Sequence, residues 1–281
     1  MSAPRSHTYT HFKVTFPVPF VAHVEIDRTS KLNTFTRPMW IEFGVVFAHL
    51  SHDPDVRAVV LSGAGEKAFC AGLDVKAAAG ETTLGEEGGE VGRKANGLKR
   101  LIYEFQEGIS QMEVCEKPVI CVMHGISLGL AMDIACAADI RFAAQDTQLS
   151  VKEVDIGMAA DIGTLARLPK IVGSASWVKD VCLSARTFSA EEALRVGFVS
   201  RVLQSKGEAV EKAIEMAAVL AEKSPIAVQG TKELLNHARD HTVAENLRYT
   251  AIWNAAMVQS EDFKKGLLGA MSKRKPTFEK L

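Results

Sequence analysis

The sequence lacks the features that mark several large classes of protein. No apolar run approaches the ~20 residues that a membrane-spanning helix needs. Lys and Arg number 33 against 34 Asp and Glu, so there is no basic excess to neutralise the phosphates of a nucleic acid. None of the five cysteines is spaced Cys-x-x-Cys, and we find no cluster of metal ligands. We therefore expect no membrane partner, no nucleic-acid partner and no metal.

The composition is instead that of a globular protein. The 281 residues are 47% hydrophobic and 24% charged, with a formal net charge of -1. A chain of this length can build one large domain, or a domain and an appendage. The cysteines lie mostly within apolar runs, which indicates reduced thiols packed as small hydrophobic side chains. The first residues, "MSAPRSHTYTHFKVTF", lack the apolar centre of a secretory signal, so we expect a soluble, intracellular protein.

Apolar periodicity predicts strands alternating with helices, followed by helices alone. The predicted elements are a hairpin over residues 11–27, helices over 37–53 and 97–115, and continuous apolar strands at 56–65 and 119–125. From 174 to 270 we expect helices with one strand-like interruption, "VGFVSRVL". Residues 81–92 are rich in glycine and acid, and are either a solvated loop or a flap over a substrate. The architecture is an α/β core followed by a helical C-terminal region.

Two segments share the order strand, glycine turn, helix start: "AFCAGLDVK" and "HGISLGLAMD". Small residues in such a turn let a ligand approach the backbone, and the N–H groups at a helix start attract negative charge. Each segment alone is also explained as a helix capped by its aspartate, Asp74 or Asp133. His124, before the second turn, is interpreted as a packed core or cap residue. Together, two turns that present main-chain N–H groups are what an oxyanion hole requires.

A third segment, "SVKEVDIGMAADIGTL", places Glu153, Asp155 and Asp161 among apolar and small residues. Burying a carboxylate is costly unless the group is paired or used in chemistry. Within it "EVDIG" predicts a loop, where we interpret Asp155 as a hydrogen-bonded turn residue and Lys152 as a solvated or ion-paired neighbour. Glu153 and Asp161 are the candidates for chemistry.

These segments, in this order, resemble the crotonase (enoyl-CoA hydratase/isomerase) superfamily over about residues 12–278. "FCAGLDV" is similar to the family's first oxyanion loop, and "PVICVMHGISLGLAMDIACAADIRFA" to its central turn and the following strand. "ARTFSAEEALRVGFVSRVL" and "KSPIAVQGTKELL" resemble the helical second half. The acids make the dienoyl-CoA isomerase subgroup the most similar; they are Asp133, Glu153 and Asp161.

The resemblance implies an α/β fold, with a crotonase-like ββα spiral core over residues 1–200 and a helical C-terminal trimerisation region over 201–281. Members of the family form homotrimers, commonly paired into homohexamers. The resemblance also implies an acyl-CoA thioester as substrate. No separate cofactor is expected, because coenzyme A is part of that substrate.

The resemblance further assigns roles to individual residues. The N–H groups of Leu73 and Leu130 would polarise the thioester carbonyl. Moving a 3,5-diene into 2,4-conjugation removes a proton near C2 and adds one near C6, and these positions are too far apart for one carboxylate. Asp161 would act at C2 and Glu153 at C6, while Asp133 would tune the site. Burial should raise the pKa values of these acids, so that proton exchange works near neutral pH.

The sequence departs from the family at the central turn. Where the family has a glycine triplet, this chain has Gly129-Leu130-Ala131. A backbone donor survives a side chain, so the oxyanion hole can form if Leu130 keeps an allowed backbone conformation. The leucine narrows the pocket and bears on acyl-chain preference.

The resemblance also implies where the coenzyme A part binds. Its phosphates need cations, and "SKRKPTF" supplies Lys273, which could reach a phosphate from a neighbouring subunit, although a charged tail is also explained as merely solvated. The loop "SKLN", which contains Lys31, is similar to the loop that lines the family's CoA groove. The implied substrate-binding residues are Lys31, Ala71, Gly72, Leu73, Asp74, Val75, Leu130 and Lys273.

The favoured function is a dienoyl-CoA isomerase of fatty acid β-oxidation. The first alternative is an enoyl-CoA hydratase, but hydratases of this family usually activate water with two glutamates, one of them at the position of Asp133. They also do not require an acid such as Asp161. The second alternative is a non-catalytic CoA- or RNA-binding protein on the same fold, which the near-neutral charge and the intact acids disfavour.

The compartment is predicted from the last residues. "EKL" resembles the peroxisomal address Ser-Lys-Leu without its serine. We expect a peroxisomal protein, with the cytoplasm and the mitochondrion as alternatives.

Overall fold

The computed structural model of the chain describes residues 8–77 and 90–281. The strands are β1 (Phe12–Val18), β2 (Val21–Ile26), β3 (Ala58–Gly63), β4 (Ala68–Cys70), β5 (Val119–Met123), β6 (Ile126–Leu128), β7 (Ile140–Ala144), β8 (Gln148–Ser150), β9 (Phe188–Ser189) and β10 (Arg201–Leu203).

The helices cover the sheets and make up most of the second half of the described chain. They are α1 (Arg37–His52), α2 (Val91–Val114), α3 (Leu130–Ala137), α4 (Thr164–Ile171), α5 (Ala175–Ser184), α6 (Ala190–Arg195), α7 (Lys206–Ala221), α8 (Pro225–Ala238), α9 (Val243–Met257) and α10 (Glu261–Ser272). Among the described residues, two short 3-10 helices, Thr29–Lys31 and Glu153–Ile156, lie at turns. None of the described helices is long and apolar enough to cross a membrane.

The described strands form two sheets, between which the chain passes repeatedly. One sheet has six strands in the order β1-β2-β3-β5-β7-β10, and the other has four in the order β4-β6-β8-β9. Each of the pairs β3-β4, β5-β6 and β7-β8 places one strand in each sheet and is followed by a helix. This is the expected ββα spiral. Strands β3 and β5 are buried along their whole length, as a sheet covered on both faces requires.

The core has two parts, one on each side of the six-stranded sheet. Helix α3, whose eight residues are all buried, lies in the larger part with α1 and the aromatic residues Phe35, Phe43 and Phe47. On the other side, α7 places four alanines at a spacing of four residues on one face, which lets the helix lie close to the sheet. These are Ala209, Ala213, Ala217 and Ala221. The five cysteines are free and buried, as predicted.

Several sequence predictions are confirmed and some are wrong in detail. The hairpin, the helix α1 and the buried strands form as predicted. Residues 126–128 are a strand and not part of a turn, because β4 and β8 pair with them on both sides. The "EVDIG" segment is a 3-10 helix and not a loop, and β9 adds a second strand to the helical half.

Helix α2 begins earlier than predicted. Its N-cap is Glu90, whose side chain accepts hydrogen bonds from the N–H groups of Gly92 and Arg93. Val91 and Gly92 are thus helical, while the rest of the predicted loop or flap, 81–89, lies outside the described residues. The division of the chain at residue 200 stays a prediction; β10 and α7, which follow it, pack with the six-stranded sheet.

Candidate active site

Three segments converge because they follow neighbouring strands of the smaller sheet. Strands β4, β6 and β8 are adjacent and parallel, so their carboxyl ends lie at the same edge. The segment Ala71–Leu73 follows β4, Gly129-Leu130 follows β6, and Glu153 comes three residues after β8. Ligands of such sheets bind at the carboxyl ends of the strands. The fold therefore gathers both glycine turns and one candidate acid at one place.

The first turn presents the N–H of Leu73. On one side of the chain, Phe35 donates its N–H to the Gly72 carbonyl at 3.0 Å and accepts from the Asp74 N–H at 2.8 Å. Phe35 and Leu73 thus form a parallel β-bridge, and the N–H of Leu73 lies on the side of its chain that faces away from Phe35. Within the described chain, no hydrogen bond from this N–H is found.

The second turn presents the N–H of Leu130 beside the first. Leu130 is the first residue of α3, where backbone N–H groups have no partner within the helix. A Cβ on Gly129 would lie 3.9 Å from the Cα of Gly72, so the two turns are in contact. Leu130 does not have a positive φ. Its backbone conformation is therefore one that a leucine can adopt, as an oxyanion donor at this position requires. The geometry fits the predicted pair of donors.

Asp133 lies one turn into α3 and is 2% exposed. Its Oδ1 accepts two hydrogen bonds from Thr164, one from the N–H and one from the hydroxyl, each at 2.7 Å. Burial raises the pKa of Asp133 to about 7, with Glu153 and Asp161 adding to the rise and the Thr164 bonds opposing it. The predicted upward shift is confirmed for this residue.

Glu153 begins the 3-10 helix after β8 and lies against the second turn. Its Oε1 is 3.2 Å from the point that a Cβ on Gly129 would occupy, and its Oε2 is buried without a hydrogen-bond partner among the described residues. Burial raises the pKa of Glu153, and the nearby charge of Asp161 raises it further. A buried carboxylate oxygen without a partner is costly unless it serves a ligand.

Asp161 lies in the segment before α4. The side-chain amide of Gln106 in α2 donates to the Asp161 carbonyl oxygen at 2.5 Å and so fixes its backbone. Burial raises the pKa of the Asp161 carboxyl. A pocket of about 480 Å³ lies beside it, lined also by Gln106 and Ser110. The three candidate acids thus form one electrostatically coupled group, since Asp133 responds to both others.

The residues interpreted as structural are confirmed as such. Asp155 forms an exposed ion pair with Lys152 at 2.9 Å, and Lys152 also donates to the Ala185 carbonyl. His124 is buried, its Nε2 lies 3.0 Å from the Gly65 carbonyl oxygen, and burial lowers its pKa to about 4. Neither the Asp155 carboxylate nor the His124 ring is among the described groups that shift the pKa values of Asp133, Glu153 and Asp161.

The predicted coenzyme A loop is held in place by two residues that sequence reasoning missed. Asn33 is buried and donates its amide to the carbonyls of Ala64 and Ala68 at 3.0 and 2.9 Å. Arg28 pairs with the Asp74 carboxylate at 2.8 Å, and this bond lowers the pKa of Asp74. The Asp74 side chain thus organises the loop, while the Asp74 N–H is bonded to the Phe35 carbonyl. Lys31 is exposed at the end of the first 3-10 helix.

The two lysines of "SKRKPTF" differ in their pairing. Lys275 pairs with Glu222 at 2.5 Å, whereas Lys273 is exposed at the end of α10 and has no ion pair with another described residue. No hydrogen bond or ion pair joins Lys273 to the acids or to the glycine turns within the described chain. Val75 is exposed, and a pocket of about 260 Å³ lies between Leu32-Asn33 and residues 64–68.

Thr164 and Gln106, which hold two of the acids, were also missed. A threonine after glycine at a helix start is a known N-terminal signal, but it does not reveal its partner. Within residues 8–77 and 90–281, no group of three or more His, Cys, Asp or Glu residues is arranged to hold a metal ion.

Comparisons with known proteins show which family the chain resembles. A family model described as enoyl-CoA hydratase/isomerase matches residues 20–280. The mitochondrial Delta(3,5)-Delta(2,4)-dienoyl-CoA isomerase of Mus musculus is 43% identical over 278 residues, which cover 98% of this chain and 84% of the mouse protein. The peroxisomal Delta(3,5)-Delta(2,4)-dienoyl-CoA isomerase of Arabidopsis thaliana is 41% identical over 93% of each chain.

A solved structure supports the fold independently. The enoyl-CoA hydratase from Bacillus anthracis superposes with a TM-score of 0.87 at 27% identity, covering 96% of this chain and 99% of that one. The ββα spiral, the two glycine turns and the match over nearly the whole length all point to the same family. The chain therefore belongs to the enoyl-CoA hydratase/isomerase family, the crotonase superfamily.

Proposed function

We propose that the protein is a Δ3,5-Δ2,4-dienoyl-CoA isomerase of fatty acid β-oxidation. The observation that carries the proposal is a group of three carboxylates, Asp133, Glu153 and Asp161, in which Glu153 lies against two turns whose N–H groups at Leu73 and Leu130 have no partner among the described residues. The names of the relatives from Mus musculus and Arabidopsis thaliana support it. An isomerase of this kind needs two proton-transfer groups and an oxyanion site, and no separate cofactor.

In the proposed mechanism the N–H groups of Leu73 and Leu130 bind the thioester oxygen. Asp161 takes a proton from C2, and the electron pair is delocalised as an enolate that these N–H groups stabilise. The C3–C4 and C5–C6 double bonds shift to C2–C3 and C4–C5 as Glu153 gives a proton to C6. One proton leaves and one arrives, so Asp161 ends protonated and Glu153 ionised until they exchange protons.

The raised pKa values suit this exchange. Glu153 must be protonated before it can donate, and burial together with the charge of Asp161 favours its protonated form. The buried Asp133, whose own pKa responds to the charges of both acids, is proposed to tune them. A general acid or base works best when its pKa is near the operating pH.

An enoyl-CoA hydratase is the second candidate, favoured by the superposition on the Bacillus anthracis enzyme. Against it, Oδ1 of Asp133 already accepts two hydrogen bonds from Thr164. A catalytic water would have to be held by the remaining oxygen of a side chain one methylene shorter than glutamate.

Coenzyme A is proposed to bind through the main chain of residues 71–75, with Lys31 and Lys273 near its phosphates. A homotrimer or homohexamer is proposed for the assembly. Helix α9 has no buried residue, and exposed apolar side chains on α9 and α10 support a contact there. These include Leu247, Ile252, Leu267, Leu268 and Met271.

The compartment is proposed to be the peroxisome, with the mitochondrion or cytoplasm as alternatives. The plant relative is named peroxisomal and the mouse relative mitochondrial. Arg57 donates to the carbonyls of Phe278 and Glu279, and Lys280 pairs with Asp55. A receptor that binds the last residues would have to displace these contacts. A fluorescent fusion with a free C-terminus, with and without Lys280-Leu281, tests this.

The function is tested by assaying one purified sample with two substrates. Conversion of a 3,5-dienoyl-CoA to its 2,4-conjugated isomer, with little hydration of a 2-enoyl-CoA, is the expected result. Robust hydration without diene conversion would support the hydratase. Binding of RNA in preference to CoA thioesters, measured by calorimetry, would support a non-catalytic protein.

A further inference from the structure

Asp133 and Thr164 meet from two helices that are distant in sequence. The N–H and the hydroxyl of Thr164 both donate to Oδ1 of Asp133, each at 2.7 Å. Asp133 is 2% exposed and Thr164 is 1% exposed. The other oxygen, Oδ2, accepts no hydrogen bond from the part of the chain that the structure describes. The carboxylate is thus fixed by one oxygen, and its second oxygen is left available.

The contact also supplies a hydrogen-bond acceptor to the N-terminus of α4. Thr164 is the first residue of this helix, and the N–H groups of a first turn have no partner within a helix. The Asp133 carboxylate supplies the acceptor from α3, in a bond that is strengthened by its charge. Asp161 precedes Thr164 by three residues, so the same contact holds the Asp161 segment against α3.

We propose that Thr164 is the positioning residue of Asp133: it fixes the direction of that carboxylate and ties the segment that carries Asp161 to the buried helix α3. The role in turnover rests on the proposed isomerase function. The positioning of the Asp133 carboxylate by Thr164 does not depend on that function, because it is argued from the two hydrogen bonds alone.

Removing the hydroxyl should change the ionisation of Asp133. The two Thr164 bonds lower the pKa of Asp133 against the effect of burial. The groups that face Asp133 are the carboxyls of Glu153 and Asp161 and the thiols of Cys70, Cys136 and Cys182. Burial raises the pKa of each thiol, and Arg167 acts on Cys136 from α4. The thiols are therefore uncharged near neutral pH, and the two carboxyls are the neighbours whose ionisation can act on Asp133.

The test uses Thr164→Val, which keeps the shape and the backbone bond, and Thr164→Ser, which keeps the hydroxyl. The protein is labelled with ¹³C at aspartate carboxyls and titrated by NMR, and the Asp133 signal is assigned by its loss in Asp133→Asn. We expect the midpoint of Asp133 to rise by about one pH unit in Thr164→Val and to remain near the wild-type value in Thr164→Ser.

The kinetic measurement is made on the same samples. With a 3,5-dienoyl-CoA substrate, kcat of Thr164→Val should fall about tenfold near neutral pH, with a change in KM of about twofold at most. The pH–rate profile should move with the NMR midpoint, and Thr164→Ser should recover most of kcat.

The outcomes separate this inference from the proposed function. An unchanged Asp133 midpoint in Thr164→Val overturns the inference. Equal losses of activity and melting temperature in both variants also overturn it, because they show a role in folding alone. A shifted midpoint restored by serine supports the inference, and if no sample converts the diene, only the proposed reaction is contradicted.

Discussion

Oε1 of Glu153 lies 3.2 Å from the point that a Cβ on Gly129 would occupy. Gly129 also has a φ of 56°, in the left-handed region that side chains disfavour. Two independent constraints thus favour glycine here, the positive φ of the turn and the close approach of the acid. The relationship joins the second glycine turn directly to a candidate proton donor.

Gly129→Ala should therefore lower turnover by about tenfold or more, because it strains the turn and displaces the Glu153 carboxylate. Gly173→Ala is the matched control, since nothing lies within 4 Å of its added Cβ and its φ is not positive. Steady-state kinetics of the two variants measure the difference. Wild-type turnover in Gly129→Ala would show that this contact does not matter.

Glu153→Gln and Asp161→Asn should each reduce isomerase turnover by at least ~100-fold, the scale of a general acid–base step. Thioester binding should fall much less, because both changes keep the side-chain volume. Asp155→Asn, at the exposed ion pair with Lys152, should keep near-normal turnover. If Glu153→Gln or Asp161→Asn behaved like this control, the role proposed for that acid would be wrong.

Asp133 should make stability depend on pH. Its pKa is raised from 3.8 to about 7 in the folded protein, so its contribution to stability is complete below about pH 4 and is lost as the pH rises through about 7. Asparagine does not ionise, so the free energy of unfolding of Asp133→Asn does not fall in this way as the pH rises. Above neutral pH the variant should be more stable than wild type, by on the order of 4 kcal/mol.

Urea unfolding of Asp133→Asn and wild type at a series of pH values measures this difference, which should shrink towards pH 4. The pKa values of Glu153 and Asp161 are also raised. Both acids are present in the two proteins, so they do not change the sign of the stability difference. A difference that grew at acid pH would contradict the raised pKa of Asp133.

Lys273→Ala should weaken the binding of CoA thioesters more than it slows turnover, since its proposed contact is with a phosphate. The loss should be smaller in high salt, which screens an exposed charge. Lys275→Ala is the control, because that lysine is paired with Glu222 and should contribute less. Calorimetry at two salt concentrations measures both, and a loss independent of salt would argue against a phosphate contact.

Asp133→Glu distinguishes the isomerase from the hydratase. We expect wild type to show little hydratase activity and Asp133→Glu to gain some at the expense of isomerisation, because the longer acid restores a pair of glutamates that can hold water. Hydration of a 2-enoyl-CoA and conversion of a 3,5-dienoyl-CoA are measured on the same samples. Strong hydration by wild type without diene conversion would contradict the isomerase and leave the family unchanged.

The sequence by itself determined the local features of the fold and the family. The strand, glycine turn and helix start at "AFCAGLDVK" and "HGISLGLAMD" are encoded by neighbouring residues, and β4 and α3 formed where this pattern placed them. The acids at Glu153 and Asp161 could be singled out because carboxylates among apolar residues are costly unless used. Their roles in proton transfer remain predictions.

Only the tertiary structure decided which residues hold these groups in place. The three-residue strand β6 forms because β4 and β8 pair with both of its edges, and no local pattern encodes partners so far along the chain. The bonds of Thr164 to Asp133 and of Arg28 to Asp74 cross 31 and 46 residues respectively. Periodicity reports which face of an element is buried, whereas such contacts depend on how the ββα units stack in space.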